Sequence, residues 1–175
     1  MQEGVVIKST GSWYEVRNDN GEVVLCRLRG KIRLDGLRST NPVSVGDKVL
    51  YEKESNKDTC VINKILPRFN VIVRKSVNLS KASHIIASNI DQAILVATIA
   101  QPRTSTGFID RFLVTAEAYH IPTIIVFNKS DLYEEEQMAQ AEELITVFEN
   151  IGYKSFMVSA MTGFQCEELK KIMKG

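Results

Sequence analysis

Pro122-Thr123-Ile124-Ile125-Val126-Phe127-Asn128-Lys129-Ser130-Asp131 is the stretch on which the reading of this chain turns. Its first half is a nearly unbroken apolar run, the pattern of a short strand covered on both faces. Its second half is a polar loop at that strand's carboxyl end. Working outward, residues 93–99 read as a second doubly covered strand and residues 155–158 as a third. Between the first two, apolar residues at Phe108, Phe112, Val114 to Ala116 and Tyr119 recur at roughly helical spacing, with Asp110 near the positive N-terminal end. Residues 134–151 form the clearest helix, with Met138, Ala141, Ile145 and Phe148 on one stripe. Three glutamates stand in its first turn and Gly152 is placed to end it. Residues 166–173 make a third helix, with Glu167 four residues before Lys171. Three alternations of strand and helix imply a parallel α/β layer over residues 91–175.

Upstream the rhythm is different. Short strand-like runs at 5–9, 13–17, 22–28, 48–52 and 59–66 are separated by Gly11, by Asn18-Asp19-Asn20-Gly21 and by Gly46-Asp47. Asn-Gly between two such runs is a strong hairpin signal, because both residues tolerate positive φ. Five short strands with glycine-marked turns point to a small β-barrel over residues 1–68. From 26 to 34, Cys26, Leu28, Ile32 and Leu34 share one parity while Arg27, Arg29, Lys31 and Arg33 share the other. An extended segment would then carry its cations on one outward stripe, continued by a loop if Gly30 breaks the strand. Residues 69–90 read as a basic linker.

The chain of 175 residues has a formal net charge of +1, yet residues 1–84 sum to +6 and residues 85–175 to −5. A basic module joined to a more acidic one is the simplest account. With 44% hydrophobic and 25% charged residues, disorder and collagen-like repetition are excluded. The longest apolar run, residues 93–100, is far below the ~20 residues of a membrane span, so no membrane role is expected. The start Met1-Gln2-Glu3-Gly4 lacks a basic segment followed by an apolar one, so no signal peptide is expected. Cys26, Cys60 and Cys166 are odd in number and far apart, which suits a reducing cytoplasm.

Asn128-Lys129-Ser130-Asp131, at the ligand-binding edge of the sheet, resembles the NKxD guanine-recognition motif of GTPases. A carboxylate such as Asp131 can accept from both the ring N–H and the exocyclic amino group of guanine. Adenine offers neither donor there, and a site built on such bonds rejects the analogue by ~10⁴-fold. Ser159-Ala160, just after the next strand, resembles the second guanine motif, in which a backbone N–H meets the purine oxygen. A lone NKxD also fits a plain helix-capping turn; the buried strand before it and Ser-Ala beyond the next strand weigh toward guanine. The chain contains no GxxxxGK[ST] and no DxxG.

A basic OB-like barrel followed by a GTPase domain that opens with NKxD resembles the circularly permuted ribosome small subunit-dependent GTPase A (RsgA) family. The resemblance rests on Val45-Gly46-Asp47-Lys48-Val49, Ser88-Asn89-Ile90-Asp91-Gln92, Ile109-Asp110-Arg111-Phe112-Leu113-Val114, the NKSD and Val158-Ser159-Ala160. It implies two domains: an all-β OB-fold barrel, then a partial P-loop-GTPase-like α/β domain, circularly permuted with a parallel sheet. It also implies GTP as ligand, read by Asn128, Lys129, Ser130, Asp131, Ser159 and Ala160, and a role in late maturation of the small ribosomal subunit. The lysine stem of the motif lies over the purine and ribose in that family. No catalytic or metal-binding residue is expected in these 175 residues. The resemblance puts the phosphate loop, magnesium ligands and structural zinc ligands further along, so the chain reads as an N-terminal fragment.

Arg27, Arg29, Lys31, Arg33, Arg38, Arg74 and Lys75 are the candidate contacts to rRNA, since clustered cations gain affinity by releasing phosphate counterions. Lys64, Arg68 and Lys81 belong to the second of these basic runs. A solvated strand face that deters edge pairing is the plainer reading of the same charges. Trp13 or Tyr14 could stack a base, although their opposite parity sends one into the barrel core. His84 and His120 have no cysteine cluster near them, Arg111 fits a helix-surface ion pair, and Cys26 and Cys60 fit barrel packing. Self-association through an exposed edge at residues 93–99 is also expected. The alternative function is a non-enzymatic RNA-binding protein whose α/β half is a scaffold; a nucleotide-responsive regulator that holds a protein partner through the acidic half is a third reading.

Overall fold

A computed structural model describes residues 1–30, 42–55, 57–75 and 83–173. The chain forms two compact units, Met1–Ile90 and Asp91–Gly175.

In the first unit, β1 (Gln2–Thr10), β2 (Trp13–Arg17), β3 (Val23–Leu28), β4 (Lys48–Lys53) and β5 (Cys60–Ile65) close into a barrel in the order β1-β2-β3-β5-β4. All contacts are antiparallel except β3 against β5. Alternation sends Val6, Tyr14, Val16, Cys26, Val49, Tyr51 and Ile62 inward, where they form one core. Each fully buried aliphatic or aromatic side chain there contributes about 1.5–3 kcal/mol over exposure. Cys26 and Cys60 both lie in that packing and are in register across β3 and β5. Gly4 on β1 is required by space: a Cβ there would stand 2.6 Å from Val16 Cγ1 and 2.9 Å from the Arg17 carbonyl.

Residues 69–90, read from sequence as a linker, contain a hairpin instead. β6 (Val71–Lys75) pairs antiparallel with β7 (Ser83–Ser88), with a bulge between Ile72 and Val73. The hairpin is locked to the barrel by Asp47, which is 0% exposed. That carboxylate accepts from the Ser44 N–H at 2.8 Å, from Arg68 Nε and Nη2 at 2.6 Å each, and from the Ser88 hydroxyl at 2.5 Å. Gly46, at φ +88°, donates to the Val6 carbonyl while Ser88 N–H donates to the Val45 carbonyl. Basic residues made this segment read as a linker, but they flank two short apolar runs, Val71-Ile72-Val73 and Ile85-Ile86-Ala87, that pair as strands.

The second unit is a three-stranded parallel sheet in the order β10-β9-β8, formed by β8 (Ala93–Ala97), β9 (Thr123–Phe127) and β10 (Lys154–Met157). Helices α1 (Thr106–Ala118) and α2 (Glu135–Asn150) cover one face, packing on Leu95, Ala97, Ile125 and Phe127. Helix α3 (Cys166–Met173) covers Ile124, Val126 and Val158 on the other through Leu169 and Ile172. Ser105 caps α1 by accepting from the Phe108 N–H, and Glu134 and Gln137 form a reciprocal capping box on α2. Only β9 is covered on both faces along its whole length. On β8 Val96 is 58% exposed, so the expectation of a doubly covered strand fails there: α3 reaches β9 but leaves this part of β8 open. Beyond β9, the second edge of β8 has no ladder partner among the described residues.

Candidate functional site

Where β9 ends, the backbone turns sharply out of the sheet. Asn128 N–H still bonds the Ala97 carbonyl at 2.9 Å, and Ser130 N–H reaches the Val158 carbonyl at 3.1 Å. Lys129 between them is left-handed at φ 69°, a conformation that costs a non-glycine residue on the order of 1 kcal/mol and persists only where its surroundings enforce it. They do so from both sides. Its carbonyl accepts from the Leu132 N–H at 3.0 Å, and its ammonium donates to the Gln101 carbonyl at 2.5 Å. Ser130–Leu132 then form one 3-10 turn that presents Asp131.

Two bonds tie this loop to the segment after β10. Asn128 Oδ1 accepts from the Ala160 N–H at 3.0 Å, and the Ser159 hydroxyl donates to Asp131 Oδ1. Ser159 is 0% exposed, and its oxygen also accepts from the Thr162 N–H at 3.1 Å. The serine therefore fixes the carboxylate and its own loop together. Asp131 itself is exposed, and its Oδ2 has no partner among the described residues. One carboxylate oxygen is held and the other is open to a ligand donor; a planar donor pair would use Oδ2 together with the second lone pair of Oδ1. The Ala160 N–H is occupied by Asn128, so a base oxygen arriving there must share or displace that bond.

Tyr133 was not singled out from sequence, yet it buttresses the site. Its hydroxyl accepts from the Ile99 N–H at 3.0 Å and donates to the Asn128 carbonyl at 2.5 Å, which joins the end of β8 to the loop. Burial raises its phenol above the ordinary value; the Ile99 N–H opposes that and the Asp131 charge adds to it. The proton needed for the bond to Asn128 is thus retained. An aromatic hydroxyl two positions beyond the motif was the only signal in the sequence.

The basic stripe is less free than its parity implies. Arg27 and Arg29 do point outward, but Arg27 grips Glu54 through both Nε, at 3.0 Å, and Nη2, while Arg29 meets Glu52 at 3.1 Å. Barrel closure causes this: β5 lies between β3 and β4, with Val61 opposite both Arg27 and Glu52. Hydrogen bonding from Arg27 holds the Glu54 carboxyl below the ordinary carboxylate range, helped by the Thr59 hydroxyl at 2.9 Å. Arg68, which belongs to the second basic run, is buried against Asp47. Lys31, Arg33, Arg38 and Lys81 lie outside the described residues; Arg74 and Lys75 lie on β6, and their side chains are likewise outside them. Of the aromatic pair, Tyr14 is in the core and Trp13 faces out.

Among the described residues no three His, Cys, Asp or Glu side chains gather as a metal site. Nor is any described helix long and apolar enough to cross a membrane.

A closed barrel followed by a parallel sheet whose two carboxyl-end loops brace each other is the architecture that this chain shares with a circularly permuted GTPase of known structure. Comparison with known proteins gives the family. The RsgA N-terminal domain model matches residues 3–61 and the RsgA GTPase model residues 65–175, so the chain belongs to the RsgA family. It is 50% identical over 173 residues to the small ribosomal subunit biogenesis GTPase RsgA of Bacteroides fragilis, covering 99% of this chain and 56% of that protein. The protein of the same name from Flavobacterium psychrophilum is 53% identical, with 98% and 53% covered. Among solved structures, YjeQ from Thermotoga maritima superposes with a TM-score of 0.76 at 37% identity, covering 99% of this chain and 57% of that one. YloQ, a circularly permuted GTPase, gives 0.69 at 33% identity, with 99% and 55% covered. The chain spans about half the length of the curated relatives it matches.

Proposed function

We propose that this chain supplies the RNA-contacting barrel and the base-reading half of a GTPase that assists late maturation of the small ribosomal subunit in the cytoplasm. The observation that carries the nucleotide part is the mutual bracing of the two loops, Ser159 to Asp131 and Ala160 to Asn128, at the carboxyl edge of the sheet. In this reading Asp131 accepts from the guanine ring N–H and amino group. Asn128 and Ser159 orient the loops, Lys129 lays its stem along the purine, Ser130 shapes the turn, and the Ala160 N–H meets the purine oxygen. Phosphate affinity comes from a glycine-rich loop, a lysine and magnesium, parts for which no residue of this chain is nominated. On the barrel, Arg27, Arg29, Lys31, Arg33, Arg38, Arg74 and Lys75 are proposed to meet the backbone of rRNA, the first two in competition with Glu54 and Glu52.

Because base reading needs no phosphate loop, it can be tested on this chain with nucleoside monophosphates. An amide-detected NMR titration with millimolar GMP should shift Asn128, Asp131, Ser159 and Ala160, and AMP should not. Asp131→Asn reverses one hydrogen-bond polarity, so it should weaken GMP and favour xanthosine monophosphate. No shift at these residues with GMP, or an unchanged preference in the variant, would remove them from the site.

A further inference from the structure

The outer surface of β2 and β3 carries an exposed apolar face with no partner among the described residues. Trp13, Leu25 and Val23 are all exposed there, Trp13 at 43%, although barrel closure leaves other large side chains free to turn inward. Register sets what surrounds them. Trp13 stands directly opposite Arg27, Glu15 opposite Leu25, and Arg17 opposite Val23. Arg17 has no ion pair among the described residues, while Glu15 is already matched by Lys8 at 2.8 Å. Arg27, opposite Trp13, also lines a polar groove of about 780 Å³, to which Arg27, Arg29 and Lys53 contribute three cations against Glu52 and Glu54. Glu54 is in turn shared with Lys57 at 3.5 Å.

An indole whose cross-strand partner Arg27 lines a polar groove with three cations against two carboxylates matches the chemistry of a nucleic-acid strand: a flat π-face for a base near charge for the adjoining phosphate. A duplex offers phosphates but keeps its base faces stacked inside, so it cannot use the indole. We infer that Trp13, with Leu25 beside it, is a stacking platform for an unpaired RNA base whose neighbouring phosphate enters the Arg27–Arg29–Lys53 groove. The inference rests on the RNA reading of the barrel and adds to it a preference for unpaired nucleotides. Trp13 pairs with Arg27 at the end of the β2–β3 hairpin away from its turn, so a strand can approach it from that open end.

Trp13 is the sole tryptophan of the 175 residues, which makes its emission a direct report on the platform. The 175-residue chain is titrated with oligouridylate of eight nucleotides, with a twelve-base-pair RNA duplex and with polyphosphate. The octamer should quench the emission in a saturable way; the duplex and polyphosphate should bind with little quenching. In anisotropy titrations with a labelled octamer, Trp13→Leu should weaken binding about ten-fold and Trp13→Phe much less, since base–aromatic stacking accounts for that size of effect. Duplex affinity should stay within about two-fold in both variants, on the same electrostatic footing. Octamer binding without quenching, or with unchanged affinity in Trp13→Leu, overturns the platform while leaving the RNA reading intact. Failure of all three ligands to bind overturns both. Emission that shifts to the blue with protein concentration alone would show that a second copy covers the face, and would also overturn it.

Discussion

Arg68→Met is the substitution whose cost the structure specifies most directly. Asp47 is wholly buried, and Arg68 supplies two of the four hydrogen bonds to its carboxylate as well as one to the Pro42 carbonyl at 3.1 Å. Methionine keeps most of the volume and removes the charge, which leaves a buried carboxylate with only Ser44 N–H and the Ser88 hydroxyl. Removing one member of a buried ion pair costs about 3–5 kcal/mol. For a unit of this size, even ~4 °C per kcal/mol translates that into a loss of at least about 12 °C in Tm. Urea unfolding followed by Trp13 emission reads the first unit alone. Asp47→Asn combined with Arg68→Met removes the stranded charge; the amide oxygen can still accept from the Ser44 N–H while the amide NH2 donates to the Ser88 hydroxyl, so it should recover most of the loss. A single variant within 1 kcal/mol of the parent, flagged against the ~3 kcal/mol floor, would refute the reasoning, as would a double variant no better than the single.

Four further outcomes are expected. Glu52→Gln with Glu54→Gln should tighten binding to structured RNA several-fold in a filter assay, because it frees Arg29 and Arg27; weaker binding would mean that those arginines do not meet phosphate. Burial first, and then Cys60, push the Cys26 thiol from its ordinary value of 9.0 up to about 12. A raised folded value contributes stability that is complete below about pH 9 and is lost as pH climbs toward 12, up to ~1.4 kcal/mol per pH unit; Cys26→Ala should show a shallower alkaline decline in Tm, and an identical one would count against it. The 175-residue chain should release no phosphate from GTP above background, since it holds no GxxxxGK[ST]; multiple turnovers in purified material would overturn the division of labour proposed above. Finally, the open edge of β8 should drive weak self-association at high concentration, reduced by Val96→Lys in sedimentation equilibrium; a strictly monomeric parent would rule it out.

The two loops proposed to read the base, the five barrel strands and the three strand–helix alternations were legible because they are local signals. Parity over five residues, a capping glutamate or an Asn-Gly turn depends only on near neighbours, and so does the placing of Asn128-Lys129-Ser130-Asp131 behind an apolar strand. Parity likewise separated Trp13 from Tyr14, but only closure of the barrel turned Tyr14 inward and left Trp13 out. What the residues could not announce was pairing across long stretches of chain. Arg27 meets Glu54 and Arg29 meets Glu52 across β5, and Arg68 meets Asp47 where the hairpin docks on the barrel. Ser159 meets Asp131 because β9 and β10 are parallel neighbours whose ends lie side by side. In each case the charge or hydroxyl is plain in the sequence, but its partner is chosen by strand order, and strand order is a property of the folded whole.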